Sequence, residues 1–160
     1  MKKLKNNFEY VEMKIPSNPK YVGLVRLTLS GILSSANASI EEIEDSKIAV
    51  SEAVTNAVKH AYKQDEDGEI IIGFAVFKDR VEIIVRDSGK SFDYETVKEE
   101  LGPYKEDDSV GFLREGGLGL FLIETLMDDV HVKKEPGVTI SMVKFVGKGQ
   151  VQNNGETITG

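Results

Sequence analysis

An almost wholly apolar segment occupies residues 70–77, near the middle of the chain. It is far shorter than the roughly 20 residues of a membrane span. It also lacks the alternation of a strand that has one face in water. We therefore predict a strand that is covered, at least in part, on both faces. A second strand is predicted at 81–87, after a tight connection at residues 78–79.

The remaining segments predict further strands and helices around this pair. Ser39 and Glu42 have the spacing of a capping box, and Pro19 stands where the first turn of a helix accepts proline. The order of elements predicts an α+β fold, a two-layer α/β sandwich in which helices cover one face of a mixed, mainly antiparallel sheet. Besides the two strands above, we predict a strand at 8–15, helices ending near residues 35 and 62, a helix at 118–127, and a hairpin of strands at 130–134 and 138–146.

The length of 160 residues and a composition of 40% hydrophobic and 29% charged residues indicate one globular domain. We assign residues 1–146 to it, with an irregular polar loop at about 88–117, and we expect a polar C-terminal tail at 147–160. The absence of Cys excludes disulfides and metal–thiolate sites. The net charge of −7 disfavours direct binding to nucleic acid or to an anionic membrane. No signal peptide begins the chain, so we expect a cytoplasmic protein.

Three polar residues recur along one face of the otherwise apolar helix that ends near residue 62. Glu52, Asn56 and His60 are spaced four residues apart and form one polar stripe. Taken alone, the stripe is better explained as a solvated helix face than as a site. Asp87 ends the apolar row of another strand face. The sequence leaves open whether its carboxylate caps a turn or accepts a hydrogen bond from a ligand.

A cluster of glycines, Gly116, Gly117 and Gly119, leads into an apolar helix. Glycines allow a ligand to approach the backbone closely, and the N–H groups at a helix start attract anions. We therefore favour a phosphate-binding loop over a merely flexible one. Thr139 lies in an apolar strand, and strand propensity explains it unless other residues place it at a pocket.

In their order along the chain, these motifs resemble the boxes of the Bergerat ATP-binding fold of the GHKL superfamily. Within it they are most similar to bacterial anti-sigma factors that are also serine-protein kinases, the anti-sigma-B (RsbW) family. The second glycine of the usual Asp-x-Gly-x-Gly box is Ser91 here, which leaves open how the lid at about 88–117 moves. The matching sequences are Ser51-Glu-Ala-Val-Thr-Asn56, Asp87-Ser-Gly89, Gly116-Gly-Leu-Gly-Leu-Phe121 and Glu124-Thr-Leu-Met-Asp128.

The resemblance implies a role for each motif. Glu52 would be the general base, and Asn56 would hold the Mg²⁺ that bridges the phosphates of ATP. Asp87 would accept a hydrogen bond from the adenine amino group, with Thr139 beside it. Arg114 would lie near the γ-phosphate. The other nucleotide-binding positions would be His60, Gly89, Gly116, Gly117, Leu118, Gly119 and Leu120.

The function that the resemblance implies is partner switching in a bacterial stress response. The chain would sequester an alternative, sigma-B-type sigma factor, and with Mg-ATP it would phosphorylate a serine of an anti-anti-sigma protein. A homodimer is expected, and Arg26 is either a partner contact or a solvated side chain. One alternative is a non-catalytic, nucleotide-dependent adaptor, which would not need Glu52. The other is a detached ATPase domain of the histidine-kinase type, which is disfavoured because no His precedes the Glu52 helix.

Overall fold

A computed structural model of the chain describes residues 7–63, 68–87, 118–133 and 137–147. The backbone of residues 60–63 and of residue 118 is helical, and their side chains are outside the description. The predicted lid at about 88–117 and the tail beyond Gly147 also lie outside the described residues.

Five described strands form one sheet in which every neighbouring pair is antiparallel. They are β1 (Glu9–Pro16), β2 (Glu69–Val76), β3 (Arg80–Arg86), β4 (Asp129–Lys133) and β5 (Thr139–Phe145). Their order in the sheet is β1-β2-β3-β5-β4, so β5 pairs with β3 and β4 lies at the edge. This order places the end of β3 next to the start of β5, where Asp87 and Thr139 are found.

Three helices lie among the described residues, and the first two begin where the local sequence favours a helix start. They are α1 (Val22–Ser35), α2 (Ile40–Lys63) and α3 (Leu118–Leu126). A 3-10 turn precedes α1, and there the Asn18 side chain accepts a hydrogen bond of 3.0 Å from the Lys20 N–H. The predicted capping box is confirmed. The Ser39 N–H donates to Glu42 Oε1 at 2.8 Å, and the Glu42 N–H donates to Ser39 Oγ at 3.1 Å.

The helix α2 is central to a layer that covers one face of the sheet. It contacts both α1 and α3, as well as the strands. Most of its inward residues are small, which lets neighbouring elements approach closely. These buried residues are Ala49, Val50, Ala53, Val54, Ala57 and Val58. The arrangement confirms the predicted two-layer α+β fold. None of the helices in the described ranges is long and apolar enough to cross a membrane.

The strand β2 is buried on both faces, as its apolar sequence predicts. Ile70 and Phe74 belong to the main core on the helix side. Ile71 is fully buried in a smaller cluster on the opposite face, with Tyr10 of β1 packed against it. A Cβ at Gly73 would overlap the Tyr10 phenol, so a glycine is required where this ring crosses the strand.

Candidate active site

The middle of α2 faces the first turn of α3, and this contact gathers two of the predicted site residues. Glu52 and Asn56 lie one turn apart on α2, and both are partly buried. A Cβ built on Gly119, in the first turn of α3, would lie 2.9 Å from Glu52 Oε2 and 3.6 Å from Asn56 Nδ2. Both side chains therefore reach the backbone of α3. The alternative of a solvated helix face does not hold for these two residues.

Within the described ranges, one hydrogen-bonding group of the Asn56 side chain has no partner. Its Nδ2 atom is buried and makes no hydrogen bond within the part of the chain that the structure describes. Leaving a buried polar group unpaired costs about 1–3 kcal/mol, and folded proteins rarely do so. A half-turn of the amide exchanges Nδ2 for Oδ1, so this position can offer a donor or an acceptor. Asn56 is therefore suited to hold a ligand where α2 meets α3.

The first turn of α3 brings backbone N–H groups to the same place. The N–H groups that begin a helix have no acceptor inside it, and together they favour a negatively charged group. The Leu120 side chain is 1% exposed and belongs to the main core. This packing holds the first turn of α3 in place. Because the Leu120 side chain is buried, only the backbone of Leu120 is available for the predicted contact with a nucleotide.

The other end of α3 is held by a buried lysine that sequence analysis missed. Lys144 Nζ donates to the Leu126 carbonyl oxygen at 2.7 Å and lies 3.7 Å from Asp45 Oδ2 on α2. A cation at the end of a helix pairs with carbonyl groups that have no partner inside the helix. The sequence does contain a signal for this contact. Lys144 stands two residues after Met142, so the period of two places it on the same, core-facing side of β5.

Asp87 directly follows the last residue of β3 and is 7% exposed. Its N–H donates to the Val138 carbonyl oxygen at 3.3 Å, and its Oδ1 accepts from the Val138 N–H at 2.9 Å. The period of two places Asp87 on the same face as Val85, which packs in the core beneath the helices. The carboxylate thus makes a local backbone contact and also lies on the helix side of the sheet. A carboxylate accepts about four hydrogen bonds, so this contact leaves room for a ligand group.

The role of Thr139 beside Asp87 at a nucleotide stays a prediction, but its hydroxyl already has a partner within the sheet. Thr139 is paired with Arg86, and its Oγ1 accepts from Arg86 Nε at 3.1 Å. Both side chains are buried on the face of the sheet that points away from the helices, since Val85 and Ile140 point toward them. The residue opposite Asp87 on the helix side is Val138. Thr139 therefore stabilises the far face of the sheet.

Of the remaining predicted site residues, the structure describes the side chain of Arg26. Arg26 is exposed on α1, with its Nη2 atom 3.7 Å from the Cβ position of Gly23. This exposure leaves both of its predicted alternatives open. The others lie outside the described residues, namely Gly89, Arg114, Gly116, Gly117 and the side chains of His60 and Leu118.

Comparison with known proteins identifies the family. The histidine kinase-like ATPase domain family matches residues 15–144. A serine-protein kinase RsbW of Staphylococcus epidermidis is 60% identical over 151 residues, which cover 94% of this chain and 95% of the relative. A serine-protein kinase RsbW of Staphylococcus aureus is 59% identical over the same shares. The chain belongs to the RsbW family.

Membership of the RsbW family confirms several predictions made from the motifs. The chain is an ATP-dependent protein-serine kinase of the anti-sigma class with a histidine kinase-like ATPase domain. A crystal structure of the RsbU and RsbW domains of a Mycobacterium tuberculosis protein superimposes with a TM-score of 0.60 at 21% identity. That match covers 86% of this chain and 32% of the other, and it supports the fold of the RsbW domain.

Proposed function

We propose that the chain alternates between two protein partners and that its kinase activity drives the exchange. It binds an alternative, sigma-B-type sigma factor, and it phosphorylates a serine of the anti-anti-sigma protein that competes for it. The observation that supports this most directly is the meeting of Glu52, Asn56 and Gly119. The contact between α2 and α3 places a carboxylate and an amide beside the start of a helix. An adaptor that only bound nucleotide would have no use for the carboxylate.

Within this proposal the nucleotide lies on the helix side of the sheet. Asp87 accepts a hydrogen bond from the adenine amino group, and the N–H groups at the start of α3 hold the phosphates. The buried position of Asp87 at the end of β3 supports its role, because water competes weakly there. We assign further nucleotide contacts to His60, Gly89, Arg114, Gly116, Gly117, Leu118 and the backbone N–H groups of Gly119 and Leu120.

Asn56 fits the Mg²⁺ that this fold family implies. Mg²⁺ takes oxygen ligands and usually combines one or two protein groups with phosphate oxygens of the substrate. Among the described residues the buried Asn56 Nδ2 has no partner, and a half-turn of the amide would put its oxygen in that place as a ligand. When bound, the ion supplies positive charge that neutralises the phosphates.

Glu52 then acts on the serine hydroxyl of the protein substrate. Its carboxylate takes the hydroxyl proton while the serine Oγ forms a bond to the γ-phosphorus. The bond from that phosphorus to the bridging oxygen breaks, and its electron pair leaves with ADP. A positioned base contributes roughly 10²–10⁴-fold to such a transfer. The contact between Glu52 and the first turn of α3 supports the role, because it brings the base close to the phosphate-binding turn.

The partners are proteins of a bacterial cytoplasm. The net charge of −7 argues against direct binding to DNA, so the chain acts on transcription through the sigma factor. Arg26, exposed on α1, is the residue that we assign to partner contact. We also propose a homodimer, which the resemblance to the family implies.

The change Glu52→Gln tests the kinase mechanism. Glutamine keeps the size of the side chain and removes its basicity, so we expect ATP binding within about twofold of wild type and phosphotransfer reduced by about 10²-fold or more. The measurement is transfer of label from radioactive ATP to the anti-anti-sigma protein, with nucleotide binding measured separately by calorimetry.

The matched control is Glu44→Gln on the same helix. Glu44 is exposed and pairs only loosely with Lys47, at 3.3 Å, so its loss has little effect on stability and none on the site. Wild-type phosphotransfer by the Glu52→Gln variant would refute Glu52 as the base and favour the adaptor.

A further inference from the structure

Neither the backbone conformation nor the N–H of Gly119 requires a glycine. Gly119 lies within α3, and the glycines with positive φ in the described ranges are Gly137 and Gly147. An ordinary helical conformation is open to every residue except proline. Alanine at position 119 would also keep the N–H that the start of α3 offers to a phosphate. The reason for glycine must therefore lie in the space that a side chain would fill.

That space is taken by Glu52. A Cβ on Gly119 would lie 2.9 Å from Glu52 Oε2, well inside the roughly 3.3 Å at which a carbon and an oxygen normally meet. The same Cβ would lie 3.6 Å from Asn56 Nδ2 and 3.8 Å from Asn56 Oδ1, which are ordinary contacts. A methyl group would thus displace the Glu52 carboxylate and leave the Asn56 amide in place.

We propose that Gly119 is a positioning residue for the base of the phosphotransfer reaction. The absence of its side chain lets the Glu52 carboxylate lie directly against the first turn of α3. The turn holds the phosphates through its N–H groups, and these do not depend on glycine at this position. The inference rests on the proposed role of Glu52. Because a shift of about 1 Å in a reacting group can cost about 10²-fold in rate, the space at Gly119 sets the rate of transfer.

The first test is the change Gly119→Ala. We expect kcat for phosphotransfer to fall by about 10- to 100-fold, while the Kd for ATP stays within about twofold because the N–H groups and Asn56 are unchanged. The melting temperature should stay the same or rise, since alanine favours a helix more than glycine does. An unchanged kcat, or a loss of ATP affinity as large as the loss of kcat, would overturn the inference.

A double-mutant cycle with Glu52→Gln tests whether Gly119 acts through Glu52. Once the base is removed, adding alanine at position 119 should change the remaining kcat by less than about twofold. Losses that multiply would mean that Gly119 acts independently, which contradicts the inference. If Glu52→Gln alone keeps full activity, the proposed function fails and the inference falls with it. If Glu52→Gln is inactive while Gly119→Ala is active, only the inference fails.

Gly31→Ala on α1 is the matched control. A Cβ at Gly31 would meet nothing within 4 Å, so the change tests helix propensity alone. We expect a similar or higher melting temperature and an unchanged kcat. A loss of kcat in this variant like that of Gly119→Ala would show a general effect of added methyl groups and would overturn the positioning role.

Discussion

At the scale of the residue, two neighbouring residue pairs between β3 and β5 lie on opposite faces of the sheet. Asp87 and Val138 form a pair on the helix side: the Val138 N–H donates to Asp87 Oδ1 at 2.9 Å, and the Asp87 N–H donates to the Val138 carbonyl oxygen at 3.3 Å. Arg86 and Thr139 form the adjacent pair on the opposite side. A step of one residue along a strand reverses the face of a side chain. If the nucleotide lies on the helix side, as we propose, it would reach Asp87 more directly than Thr139.

The changes Asp87→Asn and Thr139→Val separate these two roles. Asparagine keeps an oxygen for the Val138 N–H but loses the negative charge, so we expect ATP to bind about 10- to 100-fold more weakly. Valine at position 139 keeps the shape of threonine and removes the acceptor for Arg86. We expect it to cost about 1 kcal/mol in the free energy of unfolding, with the Kd for ATP unchanged. Calorimetry and urea denaturation provide the two measurements.

Each of these variants is a control for the other. If Thr139→Val weakened ATP binding as much as Asp87→Asn, Thr139 would have to reach the nucleotide and the face assignment would be wrong. If Asp87→Asn bound ATP as wild type does, the negative charge of the carboxylate would have no role in nucleotide binding. That result would favour the turn-capping alternative from the sequence.

At the scale of the element, α3 is fixed at one end by charge and at the other by packing. Lys144 holds the last carbonyl of the helix, and Leu120 anchors the first turn in the core. The helix α3 has nine residues, so a loose C-terminal end would also loosen the turn that faces Glu52. A buried lysine on β5 therefore helps to set the position of the turn to which we assign phosphate binding.

The change Lys144→Met tests this anchor. Methionine fills similar space but leaves the Leu126 carbonyl without its donor, so we expect a loss of about 1–3 kcal/mol in the free energy of unfolding. Lys47→Met is the control, because the exposed pair of Lys47 with Glu44 contributes less than about 1 kcal/mol. Equal losses in the two variants, measured by urea denaturation, would show that the Lys144 contact has no special weight.

The features predicted correctly from the sequence depend on residues close together in the chain. The capping box needs only Ser39 and Glu42, and the burial of β2 follows from its own apolar residues. The features that the sequence did not predict depend on how elements meet. The face of Thr139 depends on where β5 stands against β3, and the space beside Gly119 depends on how closely α3 approaches α2. Motifs read along the chain contain no information on how β5 meets β3 or how closely α3 approaches α2.

At the scale of the whole molecule, one helix layer joins the nucleotide site to the surface that we assign to partners. The helix α2 presents Glu52 and Asn56 to α3, and it also contacts α1, on which Arg26 is exposed. In our proposal, exchange of ATP for ADP at one side of α2 and exchange of protein partners at α1 therefore involve adjoining elements. The proposal of partner switching requires that the two exchanges depend on each other.

Capture experiments with the tagged chain test this dependence. From native cell lysate we expect a sigma factor in one nucleotide state and an anti-anti-sigma protein in the other, with Mg-ATP and Mg-ADP compared. A substitution on α1 tests the partner surface in the same capture experiment. Arg26→Ala should reduce capture by about tenfold or more, as loss of a hydrogen bond to a charged group does. It should leave the Kd for ATP unchanged. Lys133→Ala, which removes an equal charge from the exposed end of β4, should capture as wild type does. Equal capture by Arg26→Ala and wild type would make Arg26 a solvated side chain. The same partner in both nucleotide states would refute the switch itself, even if the kinase assay succeeds.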